Sequence, residues 1–134
     1  MSDSQTAFAT VQLPVAHDVL APDGSEIRVL AGTERASMAH GLLPPGGVSR
    51  AIRHRTVEEI WYVLSGQAEI WRSYGDPEEI ITAIAGTSLT IPVGTYFQFR
   101  TTGDEPFQFI MLTLPPWPGE AEAEFVEGVW DVGT

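Results

Sequence analysis

The chain has 134 residues and a formal net charge of −11, with 18 acidic residues against seven arginines and no lysine or cysteine. The lack of cysteine excludes disulfides, thiolate zinc sites and a cysteine nucleophile, and the lack of lysine excludes Schiff-base chemistry. An acidic surface repels phosphate backbones and anionic lipids, so we expect neither nucleic acid nor membrane as a partner. The length predicts a single domain over residues 1–134. Because the polar N-terminus lacks the pattern of a signal peptide, a cytoplasmic location is expected.

Short β-strands separated by turns are predicted along the chain. Turns are expected at residues 22–24 and 44–47, and then repeatedly at Gly- and Pro-containing sites. Runs rich in β-branched and aromatic residues cover residues 60–64, 68–71, 80–84, 88–91, 96–100 and 107–114. This spacing predicts an all-β sandwich or barrel. Residues 1–7 are expected to fray, and residues 120–126 fit either one helical turn or an edge strand.

Two glycine- and proline-containing motifs lie within the strand pattern. Residues 46–66 read GGVSRAIRHRTVEEIWYVLSG, and residues 86–101 read GTSLTIPVGTYFQFRT. They resemble the two cupin motifs, written G-x5-H-x-H-x4-E-x6-G and G-x5-P-x-G-x2-H-x3-N. The resemblance covers about residues 36–114 and implies a cupin-type double-stranded β-helix, also called a jelly-roll barrel. N-terminal strands and a C-terminal extension would pack on that core.

Only part of the metal site that the resemblance implies is present. His54 falls on the second histidine of the first motif and Glu59 on its glutamate. Ile52 and Phe97 stand where further histidines are expected. A cupin site of three histidines and one carboxylate suits Fe, Mn, Ni, Zn or Cu, so His54 and Glu59 alone are expected to hold at most a weakly bound divalent metal. Further candidate donors are His40, Tyr96, Gln98 and Gln108.

Period-two alternation predicts which side chains face the interior. Residues 50, 52 and 54 share one strand face, as do residues 59, 61 and 63. The side chains expected to converge on His54 and Glu59, and so to bind a ligand, are Arg50, Ile52, Trp61, Phe97 and Phe99. The aromatic members suit a small hydrophobic ligand, unless they simply fill the barrel. The guanidinium of Arg50 would suit a carboxylate or phosphate.

Three classes of function remain open at this point. The first is a small-molecule-binding cupin with a partly lost metal site. The second is a metal-dependent or metal-free isomerase, epimerase or oxygenase that acts on a sugar or small organic acid through His54 and Glu59. Without a metal, these two residues would be catalytic proton-transfer groups. The third is a scaffold without a pocket. We expect a homodimer, since pairing would cover exposed sheet edges, with Trp117 and Trp130 covering a barrel end or the partner subunit.

Overall fold

A computed structural model describes residues 8–132, so the expectation for residues 1–7 lies outside the described part of the chain. Within residues 8–132 the chain forms eleven β-strands and one 3-10 turn, η1. The elements are β1 (Val19–Leu20), β2 (Glu26–Gly32), β3 (Ser37–Leu43), β4 (Ile52–His54), β5 (Glu58–Ser65), β6 (Gln67–Ser73), β7 (Glu78–Ile84), β8 (Ser88–Ile91), β9 (Tyr96–Thr102), β10 (Phe107–Leu114), η1 (Glu120–Glu122) and β11 (Ala123–Phe125). The two alternatives for residues 120–126 are both realised, because η1 leads directly into β11. In residues 8–132 no helix is long and apolar enough to cross a bilayer.

The strands form two antiparallel sheets that pack face to face. One sheet has the order β1-β2-β3-β10-β5-β8, and the other has the order β11-β4-β9-β6-β7. Strands that follow one another in the chain often lie in different sheets, as β5 and β6 do. The prediction of an all-β fold built from two layers of short strands is confirmed.

Strand β5 shows how alternation produces one buried and one exposed face. Glu59, Trp61 and Val63 point into the interior and are buried. The side chains between them form an exposed apolar row on the outer face of the six-stranded sheet, here called the outer row, consisting of Ile60, Tyr62 and Leu64. The sequence of β5 therefore supplies both core contacts and a hydrophobic surface.

The turn between β5 and β6 depends on glycine. Gly66 has a φ of 79°, and a Cβ at this position would lie 2.2 Å from the carbonyl oxygen of Pro106. Only glycine tolerates both conditions, because it has no side chain to strain or to collide. The closing glycine of the first motif thus lets the chain cross from one sheet to the other within a single residue.

Aromatic rings fill one end of the interior. Trp61 stacks on Phe109 with ring centroids 4.2 Å apart, and Phe99 meets Trp61 edge-on at 5.1 Å. The ring of Phe109 packs directly on the backbone of β3, since a Cβ on Gly41 would lie 2.4 Å from its Cζ. This end of the sandwich is close-packed, which leaves the space beside it to carry a site.

The segments before β1 and after β11 cover parts of both outer faces. Arg28, on the outer face of the six-stranded sheet, donates a 2.8 Å hydrogen bond to the carbonyl oxygen of Val15. On the other sheet, the amide oxygen of Gln98 accepts hydrogen bonds from the backbone nitrogens of Val129 and Trp130 at 2.8 and 3.0 Å. Gln98 points outward, as strand parity predicts, yet it is buried beneath the C-terminal segment.

Candidate ligand-binding cavity

A cavity of about 290 Å³ lies between the sheets beside the aromatic rings, with Trp61 in its wall. Its walls come from the inner faces of both sheets, the β1–β2 turn and the segment that follows β10. Exposed lining residues on β1 and β2, together with Glu120, mark where the cavity opens to solvent. Its volume is close to the lower limit of about 300 Å³ that is common for small-molecule sites.

His54, at the end of β4, lines this cavity and is 3% exposed. Its imidazole ring lies edge-on to Phe97 and Trp117, with centroid distances of 5.3 and 5.2 Å. The Nδ1 atom is buried and has no hydrogen-bond partner among residues 8–132. Burial lowers the pKa of His54 to about 4, although the negative charge of Glu122 opposes this shift. The imidazole is therefore neutral near pH 7.

Glu59, on β5, is the second polar group at the cavity wall. Its Oε1 accepts a 2.9 Å hydrogen bond from Nε1 of Trp61, and its Oε2 accepts a 3.0 Å hydrogen bond from the hydroxyl of Thr113. Burial raises the pKa of Glu59 to about 7; these two bonds oppose that rise, and the charge of Asp23 adds to it. The carboxyl group thus exists in both protonation states near neutral pH. Its hydrogen bonds within residues 8–132 do not include one to His54.

Asp23 is a buried member of the site that lies outside both motifs. Its Oδ1 accepts hydrogen bonds from the backbone nitrogen and the hydroxyl of Ser25, at 2.9 and 2.6 Å. Its carbonyl oxygen accepts a 2.8 Å bond from the backbone nitrogen of Arg50, which fastens the β1–β2 turn to the body of the fold. Burial raises the pKa of the Asp23 carboxyl group. The sequence signals a turn at residues 22–24, but no local feature indicates that this turn closes a cavity.

Three of the predicted ligand-binding residues line the cavity, namely Ile52, Trp61 and Phe97. Ile52 on β4 and Phe97 on β9 are paired directly across their strands. They place an aliphatic chain and a phenyl ring at the positions where the cupin motifs have histidines. The apolar character of the cavity follows from these substitutions.

Two predicted positions are corrected by the structure. Arg50 is exposed, and its guanidinium carbon lies 3.8 Å above the ring of Phe125 on β11. The prediction that Arg50 faces the cavity is wrong because β4 begins only at Ile52, so strand alternation does not extend back to residue 50. Phe99 points inward as predicted, but it lies among the packed aromatic rings and does not line the cavity.

Trp117 closes one side of the cavity from the segment after β10. This segment is held in place at Glu122, whose carboxylate accepts hydrogen bonds from the hydroxyl of Thr56 at 2.7 Å and the backbone nitrogen of Val57 at 2.8 Å. A third bond comes from the backbone nitrogen of Thr56. Burial disfavours the ionised form of Glu122, but these bonds outweigh it and lower its pKa. An ionised carboxylate therefore ties the Trp117 segment to the turn after His54.

The side chains of this site do not fit a tightly held transition metal. Within residues 8–132 there is no group of three or more His, Asp or Glu side chains arranged to hold a metal ion. A structural or catalytic metal of this class normally takes at least three protein ligands. His54 and Glu59 supply two, and both oxygens of Glu59 already accept hydrogen bonds.

The other residues considered as candidate metal ligands lie outside the cavity. His40 and Gln108 are joined by a 2.9 Å hydrogen bond between Nε2 and the amide oxygen, on the outer side of the six-stranded sheet. Tyr96 is exposed, and the side chain of Gln98 is committed to the C-terminal segment. None of these four residues lines the cavity.

Sequence comparison assigns the chain to a family. A family model described as the cupin domain matches residues 39–113, which is more than half of the chain. The chain belongs to the cupin family. The match extends from β3 to β10 and includes the strands that carry His54, Glu59 and Phe97, whereas Asp23 and Trp117 lie outside it.

Similar proteins confirm the fold of this cupin. An uncharacterised protein of Methanocaldococcus jannaschii is 27% identical over 110 residues, which cover 78% of this chain and 84% of that protein. An uncharacterised protein from Klebsiella pneumoniae with a double-stranded β-helix domain has a TM-score of 0.64 and 21% identity, over 92% of this chain and 98% of that one. Oxalate decarboxylase of Bacillus subtilis has a TM-score of 0.65 and 18% identity, over 73% of this chain and 28% of that one. The predicted cupin double-stranded β-helix is thereby confirmed.

Proposed function

We propose that this cupin binds a small organic molecule with a largely apolar body in the cavity between its sheets. The observation that carries the proposal is the cavity itself, whose mainly apolar walls include the buried ionisable side chains of Asp23, His54 and Glu59. Close-packed interiors contain few voids larger than a water molecule. A space of about 290 Å³ beside a well-packed aromatic cluster is thus the feature expected of a binding site.

The charge of the walls argues against an anionic ligand. Arg50 lies outside the cavity, and no arginine is among the residues that line it. In their ionised forms, Asp23 and Glu59 would repel a carboxylate or phosphate in this poorly solvated space. Oxalate, the substrate named for the structural neighbour from Bacillus subtilis, would find no cationic side chain here.

A fragment screen read by ligand-observed NMR tests the proposal. Saturable hits should be lost in Ala39→Leu, because residue 39 lines the cavity and a larger side chain would occupy it. The matched control is Arg50→Ala. Arg50 was predicted to face the cavity but lies outside it, so this variant should leave binding intact. Hits that survive Ala39→Leu, or a broad library without a saturable hit, would refute the proposal.

Proton transfer is a second candidate function, favoured by the two acid–base groups at the cavity. With pKa values of about 4 for His54 and about 7 for Glu59, a neutral imidazole and a protonated carboxyl group coexist between those values. That combination of a base and an acid suits an isomerase or epimerase that moves a proton on a neutral substrate.

Isotope exchange tests this second candidate. Wild-type protein should catalyse exchange of a carbon-bound hydrogen of a bound ligand with deuterium from the solvent, with a rate plateau between about pH 4 and about pH 7. Glu59→Gln should abolish exchange without abolishing binding. The neighbouring Glu58→Gln, on the exposed face of β5, is the control and should behave as wild type. Equal exchange in wild type and Glu59→Gln would exclude the candidate.

A further inference from the structure

The ionisable side chains that line the cavity are carboxyl groups and one neutral imidazole, with no arginine among them. Asp23 and Glu59 are buried in its wall, and Glu120 lies at its opening. The chain contains no lysine, and none of the arginines lines the cavity. A ligand would therefore meet negative or neutral oxygen atoms and the neutral ring of His54, but no cationic donor.

One of these acceptor atoms, Oδ2 of Asp23, lacks a donor from residues 8–132. Among residues 8–132, both hydrogen bonds to the Asp23 carboxyl group go to Oδ1, so Oδ2 has no donor there. Asp23 is only 7% exposed, and it lines the cavity. Buried polar groups without partners are costly, so a ligand that brings N–H donors would be favoured at this position.

Aromatic rings border the same space. Trp61, Phe97 and Trp117 all line the cavity, and His54 lies between the rings of Phe97 and Trp117. Aromatic rings near carboxyl groups form a favourable environment for an organic cation, because the negative faces of the rings attract it. An anion would gain less from these walls.

We propose, on the basis of the binding function above, that the ligand of this cavity carries a protonated amino group on a small apolar body. The ammonium group would donate hydrogen bonds to Asp23 and Glu59, and the apolar body would pack against the rings. The cavity would thus select cations over neutral and anionic molecules of the same shape.

Binding of an ammonium group should also release protons. The titratable groups that face Glu59 across the cavity are Asp23 from the β1–β2 turn, His54 from β4 and Glu120 from the segment after β10. From β9 the cavity receives only the phenyl ring of Phe97. Because Glu59 is partly protonated near pH 7, a cation that requires its ionised form should bind more tightly as the pH rises. From about pH 6 to about pH 8 the increase should be about tenfold.

Matched ligands that differ only in charge test the proposal. Benzylamine, benzyl alcohol and benzoate share a phenyl body, and titration calorimetry at about pH 8 should show benzylamine binding about tenfold more tightly than benzyl alcohol, with benzoate weakest. Amines, alcohols and carboxylates with other aromatic or aliphatic groups extend the comparison. Asp23→Asn should remove the preference for the amine while the alcohol still binds, since the asparagine oxygen can keep the bonds from Ser25.

The control separates a local effect from the overall negative charge. Glu78→Gln removes one charge from β7, an edge strand of the other sheet, and should not change the order of the three ligands. Equal losses in Asp23→Asn and Glu78→Gln would overturn the inference, as would an alcohol or carboxylate that binds as well as its amine. If neutral fragments bind in the cavity, as shown by their loss in Ala39→Leu, and no amine binds there, the inference fails and the binding function stands. If nothing binds, both fail.

Discussion

Replacement of Glu59 by glutamine should make the protein more stable at neutral and alkaline pH. In the folded chain the pKa of Glu59 is about 7, whereas the ordinary pKa of a glutamate side chain is 4.5. Between these values the folded state binds more protons than the unfolded state, so the free energy of unfolding falls as the pH rises. Glutamine cannot ionise, and its amide suits the site: the Trp61 indole can still donate to its oxygen, and the hydroxyl of Thr113 can turn to accept from its nitrogen.

The size of the effect follows from the two pKa values of Glu59. Each pKa unit corresponds to about 1.4 kcal/mol, so ionisation of the buried carboxyl group should cost the wild type about 3 kcal/mol above pH 7. The contribution of His54 has the opposite sign, because its pKa is lowered and stability is lost as the pH falls from about 6.5 to about 4. The effects of Glu59 and His54 on the free energy of unfolding partly cancel in this pH range. The pH dependence of wild-type stability alone therefore does not separate them.

Urea denaturation of wild type and Glu59→Gln at about pH 4 and about pH 8.5 measures the difference directly. The stability of the variant relative to wild type should increase by about 3 kcal/mol between the two conditions. Glu58→Gln, on the opposite face of the same strand, is the control and should show no comparable change. A difference between Glu59→Gln and wild type that does not vary with pH would show that Glu59 is not held in its protonated form, and the reasoning about its burial would be wrong.

Four further outcomes are expected. The stability of His54→Phe relative to wild type, measured by urea denaturation, should be about 3 kcal/mol higher at about pH 4 than at about pH 6.5, because the variant lacks the contribution of His54. Gly41→Ala should lower the free energy of unfolding by about 1–3 kcal/mol in a thermal melt, because its Cβ would collide with the ring of Phe109. We also propose that the outer row pairs with a second copy of the chain; Tyr62→Arg should then halve the mass seen by light scattering, whereas Tyr74→Arg, at another exposed tyrosine, should not. After dialysis against a chelator, plasma mass spectrometry should find well below one metal equivalent per chain.

The homodimer proposal rests on the exposed outer row. Ile60, Tyr62 and Leu64 are 45%, 51% and 43% exposed on one sheet face, and a contiguous apolar surface of this kind is typical of an interaction site. A monomeric wild-type protein would contradict the proposal, whatever the behaviour of the variants.

Much of the fold and half of the site could be predicted from local sequence patterns. Alternation along β5 places Glu59 and Trp61 inside, and the spacing of the two motifs places Ile52 opposite Phe97. These predictions succeed because the period of two holds wherever a strand is regular and one of its faces is buried. The same reasoning fails at Arg50, which precedes β4 and therefore does not follow the alternation of that strand.

The sequence by itself determined the all-β architecture, the family resemblance and the loss of two metal ligands, since each of these depends on residue types at fixed spacing. Only the tertiary structure decided that an open cavity remains beside the aromatic cluster, and that Asp23 and Trp117 belong to its walls. Asp23 reaches the site because its turn is bonded to Arg50, far away in the chain. The protonation states of His54 and Glu59 were likewise decided by tertiary packing, because burial of a charge depends on every element that surrounds it.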